Sequence, residues 1–342
     1  MALLRITSPH VHGPLSTTTV MQSVLLATVP GVAALTWFFG PGVLVNIAVT
    51  SAVAIACEAL VLWLRGRPLA RTLDDHSAAV TATLLAISLP PYAPWWLLAV
   101  GAAAAILLAK QLYGGLGYNP FNPAMVGYVV LLVSFPVQMT AWAPPRGLAE
   151  EVPGFLDALR ACFLPAAYDG ATMATPLDIL RQNDSLTLDQ LFAQTPQLAQ
   201  WGGAGWQWVS LAFLAGGLWM LYRGIFTWHA PVAMLTTLTA LAALGYAGGE
   251  AGSSGSPLFH LLSGASLFGA FFIVTDPVSS AVSVRGRLVY GALIGALVYV
   301  IRARGNYPDA VAFAVLIMNF AAPFIDYYTQ PRSYGHARGG PP

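Results

Sequence analysis

The sequence predicts an all-α polytopic membrane protein, with about ten transmembrane helices arranged as two inverted five-helix repeats that include short discontinuous helices. Three observations predict it. The 342 residues are 57% hydrophobic and only 8% charged, whereas a soluble domain carries about 25% charged residues. Apolar stretches of membrane-crossing length recur along the chain. Paired motifs also recur in its two halves at nearly the same spacing.

The apolar stretches lie near 20–39, 43–64, 77–90, 94–110, 123–142, 206–222, 229–247, 260–275, 288–303 and 309–326. The third and eighth are short and rich in Ser, Thr and Gly, as expected of discontinuous helices. Trp37, Trp63, Trp95, Trp96, Trp142, Trp206, Trp208 and Trp228 fall at or near span boundaries, where indole prefers the headgroup zone. The opening "MALLRITSPHVHGP" has no continuous apolar core and does not read as a cleavable signal.

Lys and Arg orient the chain. With the N-terminus in the cytoplasm, inner loops hold ten basic residues and outer loops five, which places both termini inside. Arg302 and Arg304 sit awkwardly on the outer side. The loop 143–205 then faces the periplasm, and its seven acids against three bases suit that side. The expected organisation is a first repeat over 1–142, this loop over 143–205, and a second repeat over 206–342.

The repeat rests on two pairs of stretches. "SAAVTATLLAISLPP" at 77–91 aligns with "SGASLFGAFFIVTDP" at 263–277, and "GYNPFNPAMVGYVVLLV" at 117–133 with "GNYPDAVAFAVLIMN" at 305–319. Five spans per half invert the second half, and in such folds broken helices meet near the midplane and form sites. Close packing of Gly- and Ser-rich helices is the plainer alternative.

Net charge of +1 argues against a nucleic-acid partner. Cys57 and Cys162 are isolated, so no metal or cluster site is expected. His10, His12 and His336 lack ligand spacing. "GGLG" near 114 does not open a dinucleotide-binding unit, and no catalytic residue set is present.

Chemistry concentrates in three places. The loop carries "DGATMATPLD", which frames Asp169, Thr172, Ala174 and Thr175 as D-x-x-T-x-A-T. Small residues leave the hydroxyls accessible, and Pro176 should hold Thr175 extended. The same letters also suit an ordinary turn or helix cap. "AKQLYGGLGYNPFNPA" brings Lys110, Gly114, Gly115, Gly117, Asn119 and Asn122 together. Its amides suit the imide edge of a planar ligand, or the stretch is a structural loop with Asn caps. Glu58, inside the second span, and Asp276, in "TDP", are ionisable groups at membrane depth and candidates for an ion path. Pairing with a neighbour is the alternative for Glu58.

Together with "SPHVHG", "VMQSVLLATVPG", "FIVTDPVSSA" and "YPDAVAFAVLIMNFAAPFIDYYTQPRSYGH", these stretches resemble the family of D subunits of Rnf electron-transport complexes over nearly the whole chain. That family is related to the B subunits of the Na⁺-translocating NADH:quinone reductase. The resemblance implies FMN joined through its phosphate to Thr175 by a flavin transferase that uses FAD, with Met173 replacing the commoner Gly of the motif. It implies a second, non-covalent flavin such as riboflavin beside Lys110, Asn119 and Asn122. It further implies a bacterial inner-membrane component of a redox pump that passes electrons between ferredoxin and NAD⁺, coupled to Na⁺ or H⁺ translocation. Its partners would be the other Rnf membrane subunits, one of them also flavinylated. A solute channel or secondary transporter of the same architecture, or a scaffolding component, would carry no flavin.

Overall fold

A computed structural model describes residues 16–149, 152–164, 172–183, 185–198, 201–246, 255–305 and 310–330. Asp169 lies outside them, as do position 247 of the seventh expected span and position 309 of the tenth. The described residues are helical and form no strand.

Two long helices open the chain, α1 (Thr17–Phe39) and α2 (Gly42–Leu64), followed by the short α3 (Leu69–Leu73). Then come α4 (Ser77–Ser88) and α5 (Trp95–Gln111), whose second half, Ala104–Gln111, is π-helical. After α6 (Pro123–Ser134) and the single turn α7 (Pro136–Met139), the loop forms α8 (Phe155–Phe163), α9 (Pro176–Arg181) and α10 (Leu188–Gln194). The second half holds α11 (Trp206–Tyr222), α12 (His229–Leu244), α13 (Pro257–Leu262) and α14 (Ser266–Phe268), the last continuing as a π-helical Gly269–Ile273. It closes with α15 (Val284–Arg304) and α16 (Val311–Thr329).

Among the described residues, four helices, α1, α2, α15 and α16, are long and apolar enough to cross a membrane, while α4, α5, α6 and α12 are shorter apolar helices. Only 22–44% of each long helix's most apolar window is covered by other protein. An apolar surface left this open is suited to lipid. Trp37, Trp63, Trp95, Trp208 and Trp228 stand exposed at or near helix ends, which fits an interfacial belt.

Two expected spans are interrupted. Helix α6 stops at Ser134, well short of 142, because Pro136 lacks an N–H and Phe135 before it leaves the helical region (φ −135°, ψ 57°). The stretch 260–275 breaks at Ser263–Ala265, where Gly264 has φ +62°.

The helices run between two ends. At one, the Tyr92 hydroxyl donates to the Phe39 carbonyl (3.1 Å), and Arg146 Nε to the Trp37 carbonyl (2.9 Å). This end carries Thr175, since Met173 N–H donates to the Trp142 carbonyl at 2.8 Å. At the other, Thr18 Oγ1 donates to the Asp74 carbonyl (3.3 Å) and Arg65 Nη2 to the Gln111 carbonyl (2.7 Å). This end carries Lys110. Helix α1, with 23 residues, separates the ends by roughly 35 Å at 1.5 Å per residue. The halves of the chain meet where α1 packs on α11 and α6 on α16. A methyl at Gly216 would strike the Ala27 carbonyl, so only glycine lets α1 and α11 approach this closely.

Candidate functional site

At the threonine end, Thr175 is the N-cap of α9. Its backbone is extended (φ −70°, ψ 158°), as Pro176 requires, and its Oγ1 accepts from Asp178 N–H at 3.3 Å. Both expectations for this stretch therefore hold at once: an extended threonine and the start of a short helix. Thr172 and Ala174 are exposed, whereas Thr175 is half-buried. Thr175 and Asp178 face a mainly apolar cavity of about 100 Å³ that reaches Leu132 and Met139 of the first half and Phe213 and Phe268 of the second. Trp142 and Trp206 stand beside it with ring centroids 4.8 Å apart.

At the lysine end lies a larger cavity of about 370 Å³, lined by Lys110, Asn119, Asn122, Asp276 and Arg287 among apolar side chains of both halves. Gly114, Gly115 and Gly117 all have φ between +89° and +120°. Their turn, held by Arg67 Nη1 on the Gly114 carbonyl (3.2 Å), demands glycine for its backbone conformation. Lys110 is the chain's single lysine and is 1% exposed. Its Nζ lies 2.7 Å from Glu58 Oε1 and donates to Ser77 Oγ at 2.6 Å, while Gln111 Nε2 donates to Glu58 Oε1 at 2.7 Å. The wide π-helical turn lets both neighbours, Lys110 and Gln111, point inward. Glu58 is thus the counter-ion of Lys110. It lies behind the cavity, whose lining does not include it.

The two asparagines differ. Asn122 is an N-cap: its Oδ1 accepts from Met125 N–H (3.2 Å) and its Nδ2 donates to Asp276 Oδ2 (3.3 Å). Asn119 Nδ2 donates to the Phe121 carbonyl, but Asn119 Oδ1 is buried with no partner among the described residues. A buried acceptor left open on a cavity wall is a place for a ligand N–H. Asp276 also accepts from Ser279 Oγ (2.8 Å) and Val278 N–H (3.0 Å).

Several residues of these clusters escaped the sequence. Asn319 Oδ1 accepts from Asn122 N–H (3.0 Å), and its Nδ2 donates to the Tyr290 hydroxyl (2.7 Å) and the Ser279 carbonyl (2.9 Å), tying α16 to both halves. A lone amide inside an apolar helix was the available signal. Arg302, awkward on charge counting, is buried and caps the broken segment after α13: its Nη1 donates to the His260 carbonyl and to Ser266 Oγ, both at 2.9 Å.

An all-helical chain with lipid-suited outer faces and a polar or hydroxyl-bearing site at each end is a multi-pass membrane protein. The profile of the NQR2, RnfD, RnfE family matches residues 5–335, and the chain belongs to that family. It is 59% identical over 343 residues to the D subunit of the ion-translocating oxidoreductase complex of Cellvibrio japonicus, covering 99% of this chain and 96% of the relative. The D subunit of the same complex from Ectopseudomonas mendocina is 60% identical over 338 residues (99% and 97% covered). The Escherichia coli (strain SE11) one is 50% identical over 346 residues (97% and 98% covered).

Proposed function

We propose that this chain is a membrane subunit of a redox-driven ion-translocating complex of the Rnf type, with FMN joined by a phosphoester to Thr175. The observation that carries it is the position of Thr175: a half-buried hydroxyl at an apolar, tryptophan-flanked cavity lined by both halves of the chain. The apolar, aromatic character of the lining suits the group. A flavin ring needs an apolar aromatic seat, and a tether at Thr175 holds it at high local concentration beside one. FMN, when bound, supplies one- and two-electron transfer, with its potential tuned by surrounding hydrogen bonds and charge. Thr172, exposed and three residues before the cap, belongs with Ala174 and Asp169 to the frame a flavin transferase reads.

The lysine-end cavity is proposed for the second, non-covalent flavin, such as riboflavin. Asn119 Oδ1 supplies the free acceptor for the imide N–H, and Lys110 stands on the wall. Asp276 lines the same cavity and is the better-placed carboxylate for a Na⁺ or H⁺ path, because Glu58 is already neutralised by Lys110. The threonine end faces the periplasm and both termini the cytoplasm of a bacterial inner membrane. Other Rnf subunits, one also flavinylated, would handle ferredoxin and NAD⁺. The paired stretches at 77–91 and 263–277 support the inverted repeat, since at their aligned first residues Lys110 Nζ donates to Ser77 Oγ and Arg302 Nη2 to the Ser263 carbonyl.

The test is the intact mass of the purified chain, which should exceed the polypeptide by one FMN phosphoester. Thr175→Ala should remove both the added mass and the fluorescent band on denaturing gels, and Thr172→Ala should only reduce them. A wild-type chain without added flavin, purified from cells that contain the flavin transferase, would refute the phosphoester at Thr175.

A further inference from the structure

Two helices of the loop begin with the same reciprocal cap. In α10, Thr187 N–H donates to Gln190 Oε1 (3.2 Å) and Gln190 N–H to Thr187 Oγ1 (3.3 Å). In α9, Thr175 N–H donates to Asp178 Oδ2 (3.1 Å) and Asp178 N–H to Thr175 Oγ1 (3.3 Å). One contact sets them apart among the described residues: the Thr175 hydroxyl itself donates to Asp178 Oδ2, at 2.6 Å. Helix capping does not need this bond, since the hydroxyl oxygen already serves the cap as an acceptor. Its effect is chemical. A carboxylate holding a hydroxyl proton at 2.6 Å is placed to accept that proton when the oxygen attacks an electrophile.

We propose that Asp178 is the general base for the modification of Thr175, so that the acceptor protein carries part of the machinery for its own flavin attachment. The proposal rests on Thr175 being the acceptor. A phosphoester to threonine needs a flavin phosphate activated by a leaving group, which a flavin dinucleotide provides through its pyrophosphate. Thr175 Oγ1 attacks the flavin-side phosphorus, and the new Oγ–P bond forms as the bond from that phosphorus to the bridging oxygen breaks. AMP departs with the electron pair. The proton of Oγ1 passes to Asp178 Oδ2 and from there to water. No oxidation or reduction takes place. One lone pair of Thr175 Oγ1 accepts from Asp178 N–H in the cap and the second is left for the attack, and the half-buried setting of both side chains limits competition from water.

Separation of base from cap is what the experiment must achieve. Asp178→Asn keeps an oxygen that can accept both the Thr175 N–H and the hydroxyl but lacks the basicity. Asp178→Glu keeps the carboxylate and places at this cap position the residue most typical of it. Full-length chain from cells lacking the flavin transferase is purified in detergent and incubated with that transferase and FAD. Covalent attachment is followed by intact mass and in-gel fluorescence. Loss of a general base costs about 10²–10⁴ in rate, so Asp178→Asn should slow attachment by at least about 100-fold in kcat with the KM for FAD unchanged, and Asp178→Glu should stay near wild type. Thr187 should remain unmodified throughout. Wild-type kcat in Asp178→Asn would overturn the proposal, as would a loss confined to KM or an equal loss in Asp178→Glu. A wild-type chain that takes up no flavin would instead refute the Thr175 acceptor.

Discussion

Replacing Lys110 by methionine removes one charge from a buried cluster. Lys110 and Glu58 are 1% and 2% exposed, and their charges lie 2.7 Å apart. At an effective dielectric of about 20 that separation corresponds to an attraction of about 6 kcal/mol. Measured losses on breaking buried pairs run at about 3–5 kcal/mol, because the orphaned charge stays desolvated. After Lys110→Met, Glu58 keeps Gln111 Nε2 as its one partner among the described residues, so a loss of about 3–5 kcal/mol is expected. The double variant Lys110→Met/Glu58→Leu removes both charges and leaves Ser77 and Gln111 each short of one partner, at about 1 kcal/mol each. It should therefore be more stable than Lys110→Met alone, with a coupling of several kcal/mol in the double-mutant cycle. The assay is unfolding of the purified chain in mixed micelles by titrated SDS, followed by tryptophan fluorescence. A Lys110→Met loss within about 0.5 kcal/mol, the range of surface substitutions, or additive losses in the double variant, would refute the account of Lys110 and Glu58 as a mutually dependent pair.

Three further outcomes are expected. Asn119→Leu removes the open acceptor and should lower the flavin released by acid extraction while covalent flavin stays constant; Asn122→Leu should instead cost stability by about 1 kcal/mol or more through the lost cap. Burial pushes the Cys162 thiol up to about 11, so its reactive thiolate is scarce at about pH 8 and grows as pH rises. Maleimide labelling of Cys162 in a Cys57→Ala background should be slow at about pH 8, accelerate about tenfold per pH unit, and become fast on denaturation. Gly216→Ala should yield little folded protein, because the added methyl meets the Ala27 backbone rather than a side chain that can swing away; a wild-type SDS midpoint would show that α1 and α11 can separate at no cost.

By itself the sequence determined that the chain is helical and suited to lipid, because too few charges remain to cover a soluble surface and apolar runs need a non-aqueous solvent. It also marked both polar stretches and the extended Thr175, since Pro176 restricts its neighbour through local sterics alone. It could not decide partners that lie far apart in the chain. Glu58 and Lys110, 52 residues apart, were legible only as separate candidates, one for an ion path and one for a flavin. Packing of α5 against α2 joined them into one neutral pair, because burial of either charge alone is too costly. Asn122 read equally as a ligand contact or a helix cap, and tertiary structure bound its amide to Met125 and Asp276 and left Asn119 as the open acceptor. Arg302 defied the charge count because that count treats every basic residue as solvated, whereas the break after α13 leaves carbonyls that a buried guanidinium reaches alongside the Ser266 hydroxyl. The cavity beneath Thr175 belongs wholly to the tertiary structure, since its walls come from both halves of the chain and no local pattern encodes their meeting.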